Sequence, residues 1–268
     1  MERVLVTGAA GAIGSRLRAD LAGVYPLLRL SDRAPLDPAG PGEEVMQADL
    51  TDLAACERIC AGMEGVVHLG GQPVEADWDT VLQANISGCY NLFEAARRQG
   101  VRRVVFASTN HVIGFYPRET RIDHQVPPRP DSRYGVSKAF GEALGRFYAD
   151  KFGLGVMCIR IGNFADRPAD RRRLSIWISP RDFRQLVRIG LEHPDLHFET
   201  VYGASESDRS WWDNANAYRL GYRPEDESEP FAADVLAAEP EPTDLVAERF
   251  QGGPFCSAEF AGDPARIE

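Results

Sequence analysis

The chain is 268 residues long and 44% hydrophobic, with 40 Asp and Glu against 30 Lys and Arg, for a net charge of −10. That is enough apolar material for one large domain, and the acidic balance argues against a general affinity for nucleic acid or anionic membranes. No window approaches the run of about 20 apolar residues that a membrane span requires, and residues 3–8 read as a strand and turn, with no secretory signal visible ahead of them.

Residues 4–7 are a short apolar run ending in a glycine-rich turn over 8–14, after which Ile13, Leu17 and Leu21 recur at helical spacing. A second apolar run, 25–30, closes at Ser31-Asp32 and completes a strand–turn–helix–strand unit. Beyond a proline-rich loop at 35–41, residues 44–47 form a short third strand ending at Asp49, and Thr51 or Asp52 caps a helix to about Cys60. Residues 65–69 make a fourth strand ending in Gly70-Gly71, a long helical pattern covers 78–98, and 103–107 form a fifth strand leading into Ser108-Thr109-Asn110-His111. A polar, proline-rich loop over 116–131 precedes a helix over 134–152, and 154–161 form a sixth strand.

After Gly162 the alternation weakens. Residues 167–173 read as a charged loop, Ser179-Pro180 as the cap and first residue of a helix to about Leu191, and 196–202 as another strand. The remainder reads as short elements only, with the acidic stretch 239–244 as a surface connection. Near-continuously apolar strands alternating with helices predict an α/β fold: a Rossmann-type, doubly wound parallel sheet with helices on both faces. Residues 1–268 are expected to form one unit, with a dinucleotide-binding core over about 1–162. Residues 163–268 would then be a small region capping the carboxyl edge, where open α/β sheets place their ligands. The five cysteines are scattered and lack metal spacing, which points to a reducing cytoplasm and no structural metal; Cys56 and Cys60, one turn apart, are expected to pack.

Four local patterns carry chemistry. Gly8, Gly11 and Gly14 sit between a strand and a helix, where glycines allow a tight turn and close approach of a pyrophosphate to the helix N-terminus. Asp32 at the end of the next strand suits the adenosine ribose hydroxyls and would repel a 2′-phosphate, which favours NAD over NADP. Asp49-Leu50 stands where an adenine can be contacted, with a simple helix cap as the other reading. Tyr134 and Lys138, four residues apart, share a helix face. An ammonium beside a phenol lowers the phenol's pKa from about 10, making a base for a sugar or alcohol hydroxyl.

With Leu69-Gly70-Gly71 and Asn85, these motifs resemble the extended short-chain dehydrogenase/reductase superfamily over the first two-thirds of the chain. The resemblance implies NAD contacts from Gly8, Gly11, Ala12, Ile13, Gly14, Asp32, Asp49 and Leu50. It implies further contacts from Leu69, Gly70, Gly71, Asn85, Tyr134, Lys138 and Ile161. It places the third catalytic group at Thr109, with Ser108 as the alternative, and suggests that copies pair through the two long helices. More locally, residues 68–71, 107–117, 160–162, 174–177, 201–205, 211–214 and 249–255 resemble the uronate dehydrogenases. Those enzymes oxidise the C1 hydroxyl of glucuronate and galacturonate with NAD, giving an aldarolactone.

The resemblance implies that Tyr134 is the base, Lys138 tunes it and Thr109 binds the reacting oxygen. Asn110, His111 and Asn163 would bind the substrate, and Arg172, or its neighbours Arg171 and Arg173, would hold the carboxylate. Asn163, Pro73 and Ala12 depart from the expected residue types and bear on substrate preference. Trp211 and Trp212 line the pocket or belong to the core. A nucleotide-sugar epimerase or dehydratase shares the scaffold, but the chain after Gly162 is short for one. A non-catalytic NAD-sensing regulator is the third reading; such proteins often lose the Tyr or Lys kept here.

Overall fold

The apolar runs become the strands of one parallel sheet in the computed structural model, which describes residues 1–238 and 243–267. In chain order the elements begin β1 (Arg3–Thr7), α1 (Ala12–Leu21), β2 (Leu27–Ser31), β3 (Glu43–Val45), α2 (Leu53–Cys60) and β4 (Gly65–His68). Next come α3 (Trp78–Val81), a π-helical segment (Leu82–Ser87), α4 (Gly88–Arg98), β5 (Arg103–Thr109), a 3-10 turn (Asn110–Ile113), α5 (Arg133–Phe152) and β6 (Gly155–Ile161). The chain continues with β7 (Asn163–Phe164), α6 (Arg171–Ile176), β8 (Trp177–Ile178), α7 (Pro180–Glu192), β9 (Phe198–Gly203) and α8 (Ala215–Arg219). It closes with α9 (Glu229–Ala238), α10 (Leu245–Arg249), α11 (Pro254–Ser257) and a 3-10 turn (Pro264–Arg266).

Among the described residues the main sheet has seven strands in the order β3-β2-β1-β4-β5-β6-β9. Every neighbouring pair is parallel. Alternate residues face opposite layers. Val4, Val6, Val67, Val105 and Ile159 pack with Leu17 and Leu21 of α1 and with Phe183, Leu186 and Val187 of α7. Leu5, Val66, Val104, Phe106 and Val156 pack with Ile59 of α2, Phe93 of α4 and Tyr148 of α5. Both faces are therefore covered, and the sheet's open side is its carboxyl edge. Register aligns Thr7 with Ser31 and with His68, and Thr109 with Ile161, along that edge. Cys56 and Cys60 lie in the second apolar layer, packed as expected. No helix among the described residues is long and apolar enough to cross a membrane.

Several boundaries differ from the sequence reading. The third strand is β3, displaced toward Glu43, and Asp52 rather than Thr51 caps α2 by accepting from the Ala54 amide. The stretch expected as a charged loop over 167–173 turns helical at Arg171, because Asp170 caps α6 through the Arg173 amide. The long helix over 78–98 is interrupted by the π-helical segment, a geometry that re-aims side chains locally. The C-terminal part holds the ten-residue α9 as well as short elements. Of the acidic surface connection, residues 239–242 lie outside the described residues.

Candidate active site

The turn after β1 has a defined shape. Gly8 adopts φ 70°, and a Cβ there would come within 2.7 Å of the Leu69 carbonyl carbon and the Gly70 amide nitrogen, so the turn lies against the end of β4. Ala10, Gly11 and Ala12 are exposed, Ile13 half-buried and Gly14 buried. No side chain among the described residues caps the first turn of α1. Its amide donors and the positive end of the helix dipole fit a diphosphate. Asp32 stands beside this turn: one carboxylate oxygen accepts from the Ala10 amide at 3.0 Å and the other from Ala34 at 3.0 Å. The remaining lone pairs on both oxygens suit ribose hydroxyls. These residues fit a dinucleotide.

The neighbouring groups are more mixed. Asp49 accepts from the amide and hydroxyl of Thr51, which hold its carboxyl below the usual range; it is exposed and is not the helix cap. Leu50 packs beneath Gly70 and Gly88. Asn85 is buried in the π-helical segment, and its amide is engaged by Gln72 N at 2.7 Å, Gln72 O at 3.1 Å and Ser137 Oγ at 2.9 Å. Asn85 thus ties the Leu69-Gly70-Gly71 loop to α5.

Helix α5 lies close on β5. A Cβ at Gly141 would collide with the Phe106 ring, and one at Gly135 with the His111 carbonyl. Ser132 caps the helix through the Gly135 amide at 3.0 Å, and Glu75, from the loop after β4, accepts from the Tyr134 amide at 2.9 Å. This placement brings Tyr134, buried on α5, near Thr109 at the end of β5, whose hydroxyl acts to lower the phenol's pKa. Strand β5 runs through Thr109, so Ser108 faces the opposite layer, where it donates to Glu142 at 2.6 Å within a buried Glu142–Arg160 ion pair. Of the two hydroxyls, that of Ser108 is thus committed to Glu142, away from Tyr134.

Lys138 requires a correction. The sequence reading put its ammonium beside the phenol, holding that pKa down. Lys138 Nζ instead donates to the Ala107 carbonyl at 2.8 Å and lies 5.8 Å from the Tyr134 ring centroid. Burial pushes the Tyr134 phenol up to about 12, partly opposed by the neighbouring Thr109 hydroxyl, and pulls the Lys138 ammonium down to about 8. The physical reason is the depth of the pair: both groups lose water, and the amine takes a backbone acceptor instead.

Beyond β5, Asn110 is buried in the 3-10 turn. Its amide is satisfied when the nitrogen donates to the Ile161 carbonyl at 3.2 Å and the oxygen accepts from Arg172 at 2.8 Å. Ile161 thus meets the site through its backbone at the end of β6. Arg172 Nε also donates to the Gln251 carbonyl at 2.8 Å. No carboxylate among the described residues pairs with it, and burial lowers its pKa to about 10. Its neighbours differ: Arg171 is exposed, and Arg173 pairs with Asp170. Asn163 is half-buried on β7, with no side-chain hydrogen bond among the described residues, and Pro73 is exposed. Trp212 is buried, stacked 4.7 Å from Tyr202 and donating to Gln251 Oε1; Trp211 lies under the Arg118 guanidinium.

The partners of His111 and Arg172, Asp131 and Gln251, are not among the site residues named from the sequence. His111 Nδ1 lies 2.7 Å from Asp131 Oδ2, and the His111 ring stacks 3.9 Å from Phe255. Gln251 holds both Arg172 and Trp212, and its side-chain nitrogen donates to Pro117 and Thr120. Asp131 stood at the edge of the loop before α5, and Gln251 in a glycine-flanked turn; neither has a periodic signal that marks its partner.

A glycine turn at β1, an acid at the end of β2, and a Thr–Tyr–Lys set on β5 and α5 constitute the arrangement of an extended short-chain, nucleotide-dependent oxidoreductase. The model of the NAD dependent epimerase/dehydratase family matches residues 4–180. The uronate dehydrogenase of Pseudomonas putida is 45% identical over 96% of this chain and 96% of its own. Among solved structures, a mutant of the Agrobacterium tumefaciens uronate dehydrogenase complexed with NAD superposes with a TM-score of 0.93 at 47% identity, covering 96% of this chain and 97% of that one. The glucuronic acid dehydrogenase of Chromohalobacter salexigens superposes with a TM-score of 0.92 at 45% identity, covering 99% of each chain. The chain belongs to the NAD dependent epimerase/dehydratase family and, within it, to the uronate dehydrogenases, which are NAD-dependent oxidoreductases.

Proposed function

We propose that the protein oxidises the C1 hydroxyl of a hexuronic acid, D-glucuronate or D-galacturonate in pyranose form, to the aldarolactone. The observation that carries this reading is Arg172: a half-buried guanidinium with no carboxylate ion pair among the described residues, joined through Asn110 to the turn that bears His111 and follows Thr109. Such a group is costly to keep in an acidic protein unless an anion meets it, and its planar fork matches a carboxylate. Arg173 already has Asp170, which favours Arg172 as the clamp.

In this reading Tyr134 takes the proton from the C1 hydroxyl while Thr109 donates to or accepts from the same oxygen. Bound NAD supplies the acceptor for the hydride that leaves C1, together with a cationic ring. Lys138, fixed by Ala107 with its ammonium 5.8 Å from the Tyr134 ring centroid, would bind the cofactor's ribose. Asp32 and the turn Gly8, Gly11, Ala12, Ile13 and Gly14 hold the dinucleotide, with Leu69, Gly70 and Gly71 against it. Asp49 and Leu50 border its adenine end, and Asn85 positions the β4 loop. Asn163 and His111 supply polar contacts to the sugar. In this assignment the substrate-side groups come from 163–268 and the turn after β5, and NAD binds to the core over about 1–162.

Exposed Tyr90 on α4 and Phe147 on α5 support the pairing of copies through these helices. The reaction is tested by mixing the protein with NAD and each uronate and following NADH absorbance. Turnover with aldarolactone as product supports the reading. Inactivity on both sugars, with activity on a nucleotide sugar, refutes it.

A further inference from the structure

His111 is held more tightly than a substrate contact needs. It is the second residue of the turn after β5, with its amide donating to Thr109 Oγ1 at 3.3 Å. Its ring lies between Phe255, stacked at 3.9 Å with 25° between planes, and Tyr134, edge-on at 6.0 Å. Its Nδ1 meets Asp131 Oδ2 at 2.7 Å, while the Asp131 amide donates to the His111 carbonyl at 3.3 Å. The Asp131 carboxylate is fully buried, its other oxygen accepting from Ser132 Oγ at 2.8 Å. Gly114 and Gly252 make room for it, since a Cβ at either would collide with Oδ2.

A carboxylate only accepts hydrogen bonds. A ring nitrogen facing it therefore carries the proton, and the other nitrogen of the neutral ring has a bare lone pair. His111 Nε2 has no partner among the described residues. The other polar groups are committed in the opposite sense: Arg172 is donor-only, and Asn110 is engaged by Ile161 and Arg172.

We propose that Asp131 is a positioning residue for sugar recognition: it holds His111 in the Nδ1–H tautomer, so that Nε2 accepts a hydrogen bond from a ring hydroxyl of the uronate. The proposal rests on the uronate reading above, and it makes the site directional: donors meet the carboxylate and an acceptor meets the hydroxyl. Asp131→Asn keeps the volume but offers an amide that can donate to Nδ1, which moves the ring proton to Nε2 and turns the acceptor into a donor.

The tautomer is read by nitrogen-15 NMR of the ring at pH 8, in wild type and Asp131→Asn, with His111→Gln assigning the signal. The wild-type ring should carry its proton on Nδ1 alone, and the variant ring should move it to Nε2. In steady-state assays Asp131→Asn should raise KM for the uronate about tenfold or more with the Kd for NAD unchanged. It should add nothing further in a His111→Gln background. A wild-type ring protonated on Nε2, alone or with Nδ1, overturns the proposal even if Asp131→Asn does not fold. So does a folded Asp131→Asn protein with normal KM. The NMR reading needs no substrate, so a protein that oxidises neither uronate would refute the activity while leaving the tautomer measured.

Discussion

Lys138 Nζ donates to the main-chain carbonyl of Ala107 at 2.8 Å, on the strand that carries Thr109, rather than to the Tyr134 hydroxyl. The lysine therefore ties α5 to β5 beneath the phenol. The phenol itself is pushed up to about 12 by burial.

The phenolate is the form that accepts the C1 proton, and below about pH 12 its fraction rises tenfold per pH unit. At saturating NAD, kcat/KM for the uronate should climb from about pH 6 toward about pH 8, where Lys138 begins to lose its charge. Tyr134→Phe should lose a factor of roughly 10²–10⁴ in kcat, the usual share of a general base, while still binding NAD. A flat profile, or near-normal turnover in the variant, would take Tyr134 out of the proton transfer.

Burial lowers Lys138 from 10.5 to about 8, so the unfolded chain holds this proton more tightly than the native protein. Between about pH 8 and 10.5 the unfolded state carries more protons, and stability rises with pH through that window. At pH 7 both states are protonated, and the burial cost is on the order of 3 kcal/mol. Lys138→Met removes this titration. Urea melts at pH 7 and pH 10 should therefore show wild type gaining about 2 kcal/mol on the variant. An unchanged gap would mean that the amine is not desolvated.

Arg172→Ala should cost about 2–3 kcal/mol in kcat/KM for the uronate, roughly 30- to 150-fold, mostly through KM for the sugar. Arg173→Ala should change it little, because that side chain serves Asp170. If Arg173→Ala carries the larger effect in steady-state kinetics, the clamp is misassigned.

Asp32 should set the cofactor preference. Removing a charge-assisted acceptor is worth about 1.5–3 kcal/mol, so Asp32→Ala should reduce the preference for NAD over NADP by at least about tenfold. The same carboxylate accepts from Ala10 and Ala34, so some loss of NAD affinity is expected as well. An unchanged ratio of kcat/KM values would place cofactor choice elsewhere.

What the sequence displays is what is local. The glycine turn, the apolar strands and the Tyr134–Lys138 spacing each fit within one or two turns of chain, and the structure places them at one sheet edge. The choice between Ser108 and Thr109 needed the strand to run two residues further than its apolar core, because alternation then decides which hydroxyl faces the site. The choice among three consecutive arginines needed the cap at Asp170, which fixes where α6 starts. Asp131 and Gln251 act through contacts with residues far off in the chain, His111 and Arg172, and backbone carbonyls such as Ala107 carry no sequence signature at all.

The central claim is that Tyr134, Thr109 and Arg172 hold one sugar. A crystal structure with NAD and D-glucuronate or D-galacturonate tests it most directly. The account predicts the C1 oxygen between the Tyr134 hydroxyl and Thr109 Oγ1, C1 facing the nicotinamide, and the carboxylate on the Arg172 guanidinium. A sugar whose carboxylate lies away from Arg172, or whose C1 oxygen lies beyond hydrogen-bond reach of Tyr134, would contradict it.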